Sequence, residues 1–115
     1  VKLVKRIPAG WNCECEEKGL NLYVTVPFEY QASSLSDLKK TMYRELANNM
    51  SFISKNSPEE TLSRVYIVRL SMIHPEMEIQ AITEGKMMAK LHGLNSPEHI
   101  RQHLRASVQV KEVIK

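Results

Sequence analysis

The sequence has 115 residues, which is the size of one domain over 1–115 and too short for two independent hydrophobic cores. The composition, 43% hydrophobic and 25% charged, excludes a disordered or fibrous chain. No apolar run approaches the roughly 18 residues of a membrane-spanning helix, and residues 1–10 lack the apolar stretch of a signal peptide, so we expect an intracellular protein, cytoplasmic or nuclear. The formal net charge is only +3, but residues 86–115 carry six basic side chains and two acidic ones.

Residues 1–28 are predicted to form strands. Apolar and polar residues alternate over 11–18 and again over 20–26, which is the period of a strand with one buried face. Gly19 lies between these runs and suits a hairpin turn, and residues 2–7 predict an additional strand. We therefore predict an antiparallel hairpin or a three-stranded sheet at the N-terminus.

Residues 34–106 are predicted to be mainly helical. The apolar residues of 35–54 recur at steps of three and four, and Ser34 precedes them as an N-cap. The tetrapeptide NSPE occurs at 56–59 and again at 95–98. In each copy the serine suits an N-cap, the proline suits the first helical position, and the glutamate lies near the positive end of the helix dipole. Both copies therefore predict helix starts.

The next segments are harder to assign. Residues 64–73 are rich in β-branched residues, which favour a strand, but they follow a helix start, and we interpret them as a helix. A strand here would instead give a mixed α/β sandwich. Residues 75–92 are predicted to be a helix that Gly93 ends, and residues 107–115 suit a closing strand or a continued helix. The predicted fold is α+β, with the N-terminal sheet followed by a bundle of about four helices and a possible C-terminal strand.

The stretch AKLHGLNSPEHIRQHL, residues 89–104, resembles the general helix-turn-helix pattern. Ala89 is the small residue where two helices cross, Gly93 opens the turn four residues later, and Leu94 is the apolar residue that follows. The apolar residues of the second helix fall one position later than usual, so the turn needs one extra residue. This resemblance implies that a basic helix pair binds DNA or RNA. The predicted contacts to nucleic acid are Lys86, Lys90, Arg101, Gln102 and Arg105.

A second interpretation is a self-associating or adaptor domain. The predicted helix 75–92 has apolar residues over more than half of its circumference, and a small domain seldom covers so broad a face by itself. Gly85 on this helix would allow another helix to approach closely. In the preceding segment Arg69 lies among apolar residues, which suggests an interface or a buried ion pair. The predicted interface residues are Met77, Ala81, Met88, Leu91 and Arg69.

Metal binding and catalysis are not expected. Cys13, Cys15, His99 and His103 are ligand types that zinc accepts, but the spacing of the two cysteines departs from that of recurring zinc sites. We interpret the cysteines as reduced, buried thiols and the histidines as solvated, and we predict no metal and no cofactor. Asp37 is the only aspartate, and no motif for a nucleophile, a zinc protease or a phosphate loop occurs. We therefore predict a binding module that is not an enzyme.

Overall fold

The computed structural model describes residues 4–16 and 21–115, with only the backbone of residues 15 and 16. In this part of the chain, five strands form one sheet in chain order. They are β1 (Asn12–Glu16), β2 (Asn21–Pro27), β3 (Ile67–Ile73), β4 (Met77–Thr83) and β5 (Gln109–Ile114). The helices are α1 (Leu35–Lys55), α2 (Glu59–Ser63), α3 (Gly85–Ala89) and α4 (Pro97–Ser107), and a 3-10 turn spans Lys90–Gly93. Strands β2 and β3 are parallel, whereas the other neighbouring pairs are antiparallel.

This architecture contradicts the predicted order of an N-terminal sheet followed by a helical bundle. Strands and helices alternate along the chain, and α1 and α2 connect the parallel strands β2 and β3. Segment 64–73 forms β3 instead of a helix, and segment 75–92 forms β4, α3 and the start of the 3-10 turn. The mixed sandwich considered for a strand at 64–73 is therefore the better description. Residues 4–7 form no strand, and the turn predicted at Gly19 lies outside the described residues.

Alternating burial explains why the wrongly predicted helices are strands. In β4, burial alternates from Met77 to Thr83, the period of a strand with one face in the core. The buried side chains meet across the sheet: Val24 is paired with Leu70, and Leu70 with Ala81. Burying a side chain as large as Leu70 contributes about 1.5–3 kcal/mol, which outweighs the few tenths of a kcal/mol that helix propensity supplies per residue.

The three predicted helix starts differ in their capping. Ser34 caps α1 as predicted, because its Oγ accepts a hydrogen bond of 3.1 Å from the backbone N–H of Asp37. Ser57 does not cap α2, since its hydroxyl donates to the carbonyl oxygen of Ile53 at 2.6 Å. Ser96 stands at the N-cap position of α4 without a side-chain cap hydrogen bond, and proline is the first helical residue, as predicted.

Helix α1 reaches across the sheet from one edge strand to the other. In its N-terminal half, the hydroxyl of Tyr43 donates a hydrogen bond to the carboxylate of Glu112 on β5. Near its end, the ring of Phe52 meets Trp11, next to β1, edge to face with centroids 5.7 Å apart. A helix of this length extends roughly 30 Å, enough to span five strands diagonally. The N-terminal half of α1 therefore lies beside β5.

One face of the sheet packs in the core, and the opposite face, named here the open face, is only partly buried, since buried and half-buried side chains alternate along β2 and β4. On this open face the guanidinium of Arg69 lies 4.2 Å from the centre of the Tyr23 ring. Register places Glu14 on one side of this pair and Ile82 on the other. Arg69, one of the predicted interface residues, therefore lies on a sheet face that is separate from the helical layer.

Candidate binding groove

A groove with a volume of about 620 Å³ opens between α1, α4 and the beginning of β5. Its base is apolar and is named here the floor. The floor consists of Leu46, Ala47, Met50, Leu104, Val108 and Val110. Grooves of about 300–1,000 Å³ with apolar lining are typical binding sites in proteins. The size and lining of this groove therefore make it the candidate functional site.

The local sequence explains how the floor forms. The apolar stripe of α1 that packs on the sheet includes Leu46 and Met50, which are 6% and 0% exposed. Helix α4 contributes Leu104. Val108 is the C-cap of this helix, since its N–H donates to the carbonyl oxygen of Leu104 at 2.9 Å, and β5 begins at the next residue. Val110 then enters β5 on the side that faces the helices, since it is paired with the buried Ala81. The groove thus combines a rigid helix stripe with the start of an edge strand.

Four cations line this groove and are named here the rim: Lys40 and Arg44 on α1, and Arg101 and Arg105 on α4. In each helix the two residues are four apart, so both cations of a pair lie on the same helix face. All four side chains are exposed, and none of the described residues that line the groove is acidic. Within the described ranges, the ion pairs join Lys39 to Glu112, Arg64 to Glu60 and Lys86 to Glu84, so none of them uses a rim cation.

Tyr43 lines the groove and, together with Lys39 and Glu112, joins α1 to β5. Lys39 Nζ lies 2.9 Å from Glu112 Oε2, and the Tyr43 hydroxyl donates to Oε1 of the same carboxylate. The hydrogen bond from Tyr43 and the interaction with Lys39 lower the pKa of Glu112. Burial, together with the Glu112 carboxylate, raises the pKa of Tyr43 to about 12. These contacts hold β5 against α1 and pair the Glu112 carboxylate with a cation.

The structure separates the predicted nucleic-acid contacts into two groups. Arg101 and Arg105 belong to the rim, and Gln102 is exposed on the same helix. Lys86 lies on α3 and pairs with Glu84 at 3.4 Å, and Lys90 is exposed in the 3-10 turn. Neither of these lysines lines the groove.

The helix pair expected before and after the turn is only half formed. Pro97–Ser107 is a helix, but the long helix that should precede it is replaced by β4 and the five-residue helix α3. Helix α4 is attached to α3 by His103, whose Nε2 lies 2.7 Å from the carbonyl oxygen of Met87 and donates to it. The segment before the turn is thus a five-residue helix continued by a 3-10 turn, which is shorter than the helix predicted over 75–92.

The predicted protein interface lies mostly inside the fold. Met77 and Ala81 are on β4, Met88 is on α3 and Leu91 is in the 3-10 turn, and each is at most 1% exposed. The broad apolar face that suggested an interface is the core side of a strand followed by a short helix. In the folded protein these side chains belong to the hydrophobic core.

Cys13, His99 and His103, three of the four residues weighed as zinc ligand types, are not brought together. Cys13 is half-buried on β1, whereas His99 is exposed on α4 and His103 is hydrogen-bonded to Met87. The side chain of Cys15 lies outside the described residues. Among residues 4–16 and 21–115, no group of three or more His, Cys, Asp or Glu is placed to hold a metal ion. The same part of the chain contains no helix that is both long and apolar enough to cross a bilayer.

Sequence reasoning missed the α1 side of the groove. Lys40 and Arg44 lie four residues apart on the polar face of the most clearly periodic helix, but a charged helix face usually meets only solvent. Their position opposite α4 depends on the tertiary fold. Comparisons with protein-family models, with curated proteins and with solved structures found no match. Any assignment of function therefore depends on the geometry of this groove.

Proposed function

We propose that this protein is a non-enzymatic binding module that holds an acidic segment of a partner protein in the groove between α1, α4 and β5. The observation that carries this proposal is the rim, in which two cations on each helix border an apolar floor that contains no acidic residue. A partner that supplies carboxylates and apolar side chains satisfies both parts of this surface.

Electrostatics favours an anionic partner at this place in particular. The whole chain has a net charge of only +3, so its overall field is weak. The four rim cations are concentrated in one groove, and the described residues provide no ion pair within 4 Å for any of them. An exposed ion pair contributes about 0.2–1 kcal/mol, but several such pairs around an apolar contact add both affinity and orientation.

Nucleic acid is the second candidate, because Arg101, Gln102 and Arg105 are all exposed on α4. Arginine and glutamine are side chains that contact base edges and phosphates. The floor favours a protein partner, however, since phosphates and sugars gain little from contact with Leu46, Ala47 or Val110. A nucleic acid that used the predicted contacts would also need Lys90, which lies outside the groove.

A binding assay with three probes distinguishes these functions. The probes are a labelled peptide of about 14 residues rich in glutamate and leucine, a DNA duplex and a single-stranded RNA. Each is titrated by fluorescence anisotropy at about 50 and 200 mM salt. The test variant is the double substitution Arg44→Ala/Arg105→Ala, which removes one rim cation from α1 and one from α4. The matched control is Lys86→Ala/Lys90→Ala, which removes two cations outside the groove.

We expect the peptide to bind, and the groove variant to weaken its binding at least tenfold while the control variant changes it less than twofold. Circular dichroism confirms that both variants are folded. Stronger binding of DNA or RNA, weakened by the Lys86→Ala/Lys90→Ala control, would favour the nucleic-acid function instead. If none of the three probes binds at low salt, both functions are refuted.

A further inference from the structure

The shape of the groove identifies the form of the bound segment. We infer that the partner binds as an amphipathic α-helix of two to three turns, with an apolar stripe on the floor and carboxylates on both sides. This inference rests on the function proposed above and adds the conformation and residue pattern of the partner. Three observations support it: the length of the groove, the cations on both sides of the floor, and the incomplete helical layer over β5.

The groove has the length of a short helix. Its α1 side extends from Lys40 to Met50, and a helical rise of about 1.5 Å per residue gives a groove of roughly 15 Å. A bound helix of about ten residues has the same length. An extended segment of that length would contain only four or five residues, of which about half would face the floor.

The rim places cations on both sides of the floor. A helix with an apolar stripe has its polar residues on both flanks of that stripe. Acidic residues on one flank would face Lys40 and Arg44, and acidic residues on the other would face Arg101 and Arg105. On both sides the spacing of four residues matches the spacing of carboxylates on one flank of a bound helix. A segment with charges on only one side would satisfy only two of the four cations.

The helical layer leaves room for another helix at β5. A helix is about 10 Å wide and neighbouring strands lie about 4.8 Å apart, so one helix covers roughly two strands. The five strands are covered by two long helices, α1 and α4, together with two helices of five residues each. On β5, Val110 points to the helical side and is still 39% exposed. A third helix in the groove would complete this layer and bury the valine.

The test compares three labelled peptides of identical composition, each with about 14 residues. The first peptide has leucines at helical spacing, glutamates on both flanks and a proline at one end. The second has the same residues in scrambled order. The third differs from the first only in that the proline is exchanged with a central residue, where it breaks the helix. Binding is followed by anisotropy, and peptide helicity by circular dichroism of the complex. The protein variants are Val110→Ser on the floor and Val113→Ser as a matched control.

The two valines differ mainly in the face on which they lie. Val113 is 42% exposed, close to the 39% of Val110, but it points to the open face of the same strand. We expect the patterned peptide to become helical on binding and to bind at least tenfold more tightly than the other two. We also expect Val110→Ser to weaken its binding about fivefold, while Val113→Ser has no effect.

The outcomes separate the two proposals. If all three peptides bind equally and Arg44→Ala/Arg105→Ala weakens each of them, the helical partner is refuted and the acidic partner stands. If the patterned peptide binds without gaining helicity, or if Val113→Ser weakens binding as much as Val110→Ser, the inference is also refuted. If no acidic peptide binds, the proposed function fails together with the inference.

Discussion

Replacing Gly85 by alanine is expected to destabilise the fold strongly, although Gly85 lies outside the groove. A Cβ atom at this position would lie 2.2 Å from the carbonyl oxygen of Val65 and 2.3 Å from that of Leu62. Both distances are well below 3.0 Å, a separation that real Cβ atoms essentially never reach. Because these neighbours are backbone atoms, they cannot rotate away. The N-terminus of α3 has to move instead.

The size of the effect follows from three contributions. Overpacking costs about 1–3 kcal/mol. The hydrogen bond of 3.0 Å from the Gly85 N–H to the Val65 oxygen would be weakened, which costs up to about 1 kcal/mol. The lower entropy of the unfolded alanine variant offsets about 0.4–1 kcal/mol. We therefore expect the free energy of unfolding to fall by about 2 kcal/mol, a large part of the stability of a small domain.

Gly93→Ala is the matched control, since a Cβ atom there would have no neighbour within 4 Å. Its free energy of unfolding should stay constant or rise by up to about 1 kcal/mol. Urea denaturation, followed by circular dichroism and by the fluorescence of Trp11, measures both variants. Equal stabilities of Gly85→Ala and Gly93→Ala would refute the argument that close backbone packing requires glycine at 85.

Three further predictions concern contacts of α1. The pKa of Glu112 is lowered from its ordinary value of 4.5, so this carboxylate stabilises the fold above that pH, and the contribution is lost as the pH falls through the folded pKa. Glu112→Gln should therefore lower the free energy of unfolding at neutral pH. In urea titrations the free energies of unfolding of the variant and the native protein should differ less in acid, and a difference that does not change with pH would contradict this. The pKa of Tyr43 is raised from 10.0 to about 12, so its contribution is complete below pH 10 and is lost as the pH rises towards 12. Comparing phenolate absorbance in the native protein and in Tyr43→Phe should reveal one late-titrating tyrosine, and its absence would disprove the assignment. Ser34→Ala removes the N-cap of α1 and should lower the free energy of unfolding by about 1 kcal/mol, whereas Ser36→Ala, which removes an exposed serine two residues later, should change it much less.

The sequence was sufficient to predict the elements whose hydrophobic pattern fits only one type of secondary structure. Helix α1 was expected over 35–54 and spans Leu35–Lys55, because its apolar residues keep a helical period through five turns. Strands β1 and β2 were expected from their alternation. In these segments, local propensity and burial favour the same structure.

The errors arose where propensity and pattern disagree. Segment 77–83, MEIQAIT, is rich in residues that favour helices, yet its apolar residues alternate, and this alternation decides its structure because one face of β4 packs in the core. Segment 64–73 follows a true helix start, but α2 ends at Ser63 after little more than one turn. A capping signal predicts where a helix begins and gives no information about its length.

The candidate site was predictable only in part. Arg101 and Arg105 were expected to contact nucleic acid because they lie in a basic segment that resembles a helix-turn-helix, and that function stays a prediction. Lys40 and Arg44 were overlooked, since 61 residues separate Lys40 from Arg101 in the sequence and only the fold brings their helices together. Charge composition indicated the sign of the partner, but the apolar floor required the packing of α1 against α4 and β5.

The direct connection between α4 and β5 links the occupancy of the groove to the backbone of an edge strand. Val108 is the only residue between the last residue of α4 and the first residue of β5. The backbone therefore continues without a loop from the rim residues of α4 to Val110 of the floor. Among the strands of the described residues, β5 lies at the edge of the sheet and is paired with β4 alone. Amide hydrogen exchange along Gln109–Ile114 should therefore slow when the groove is occupied, and this edge strand can report on binding without any label.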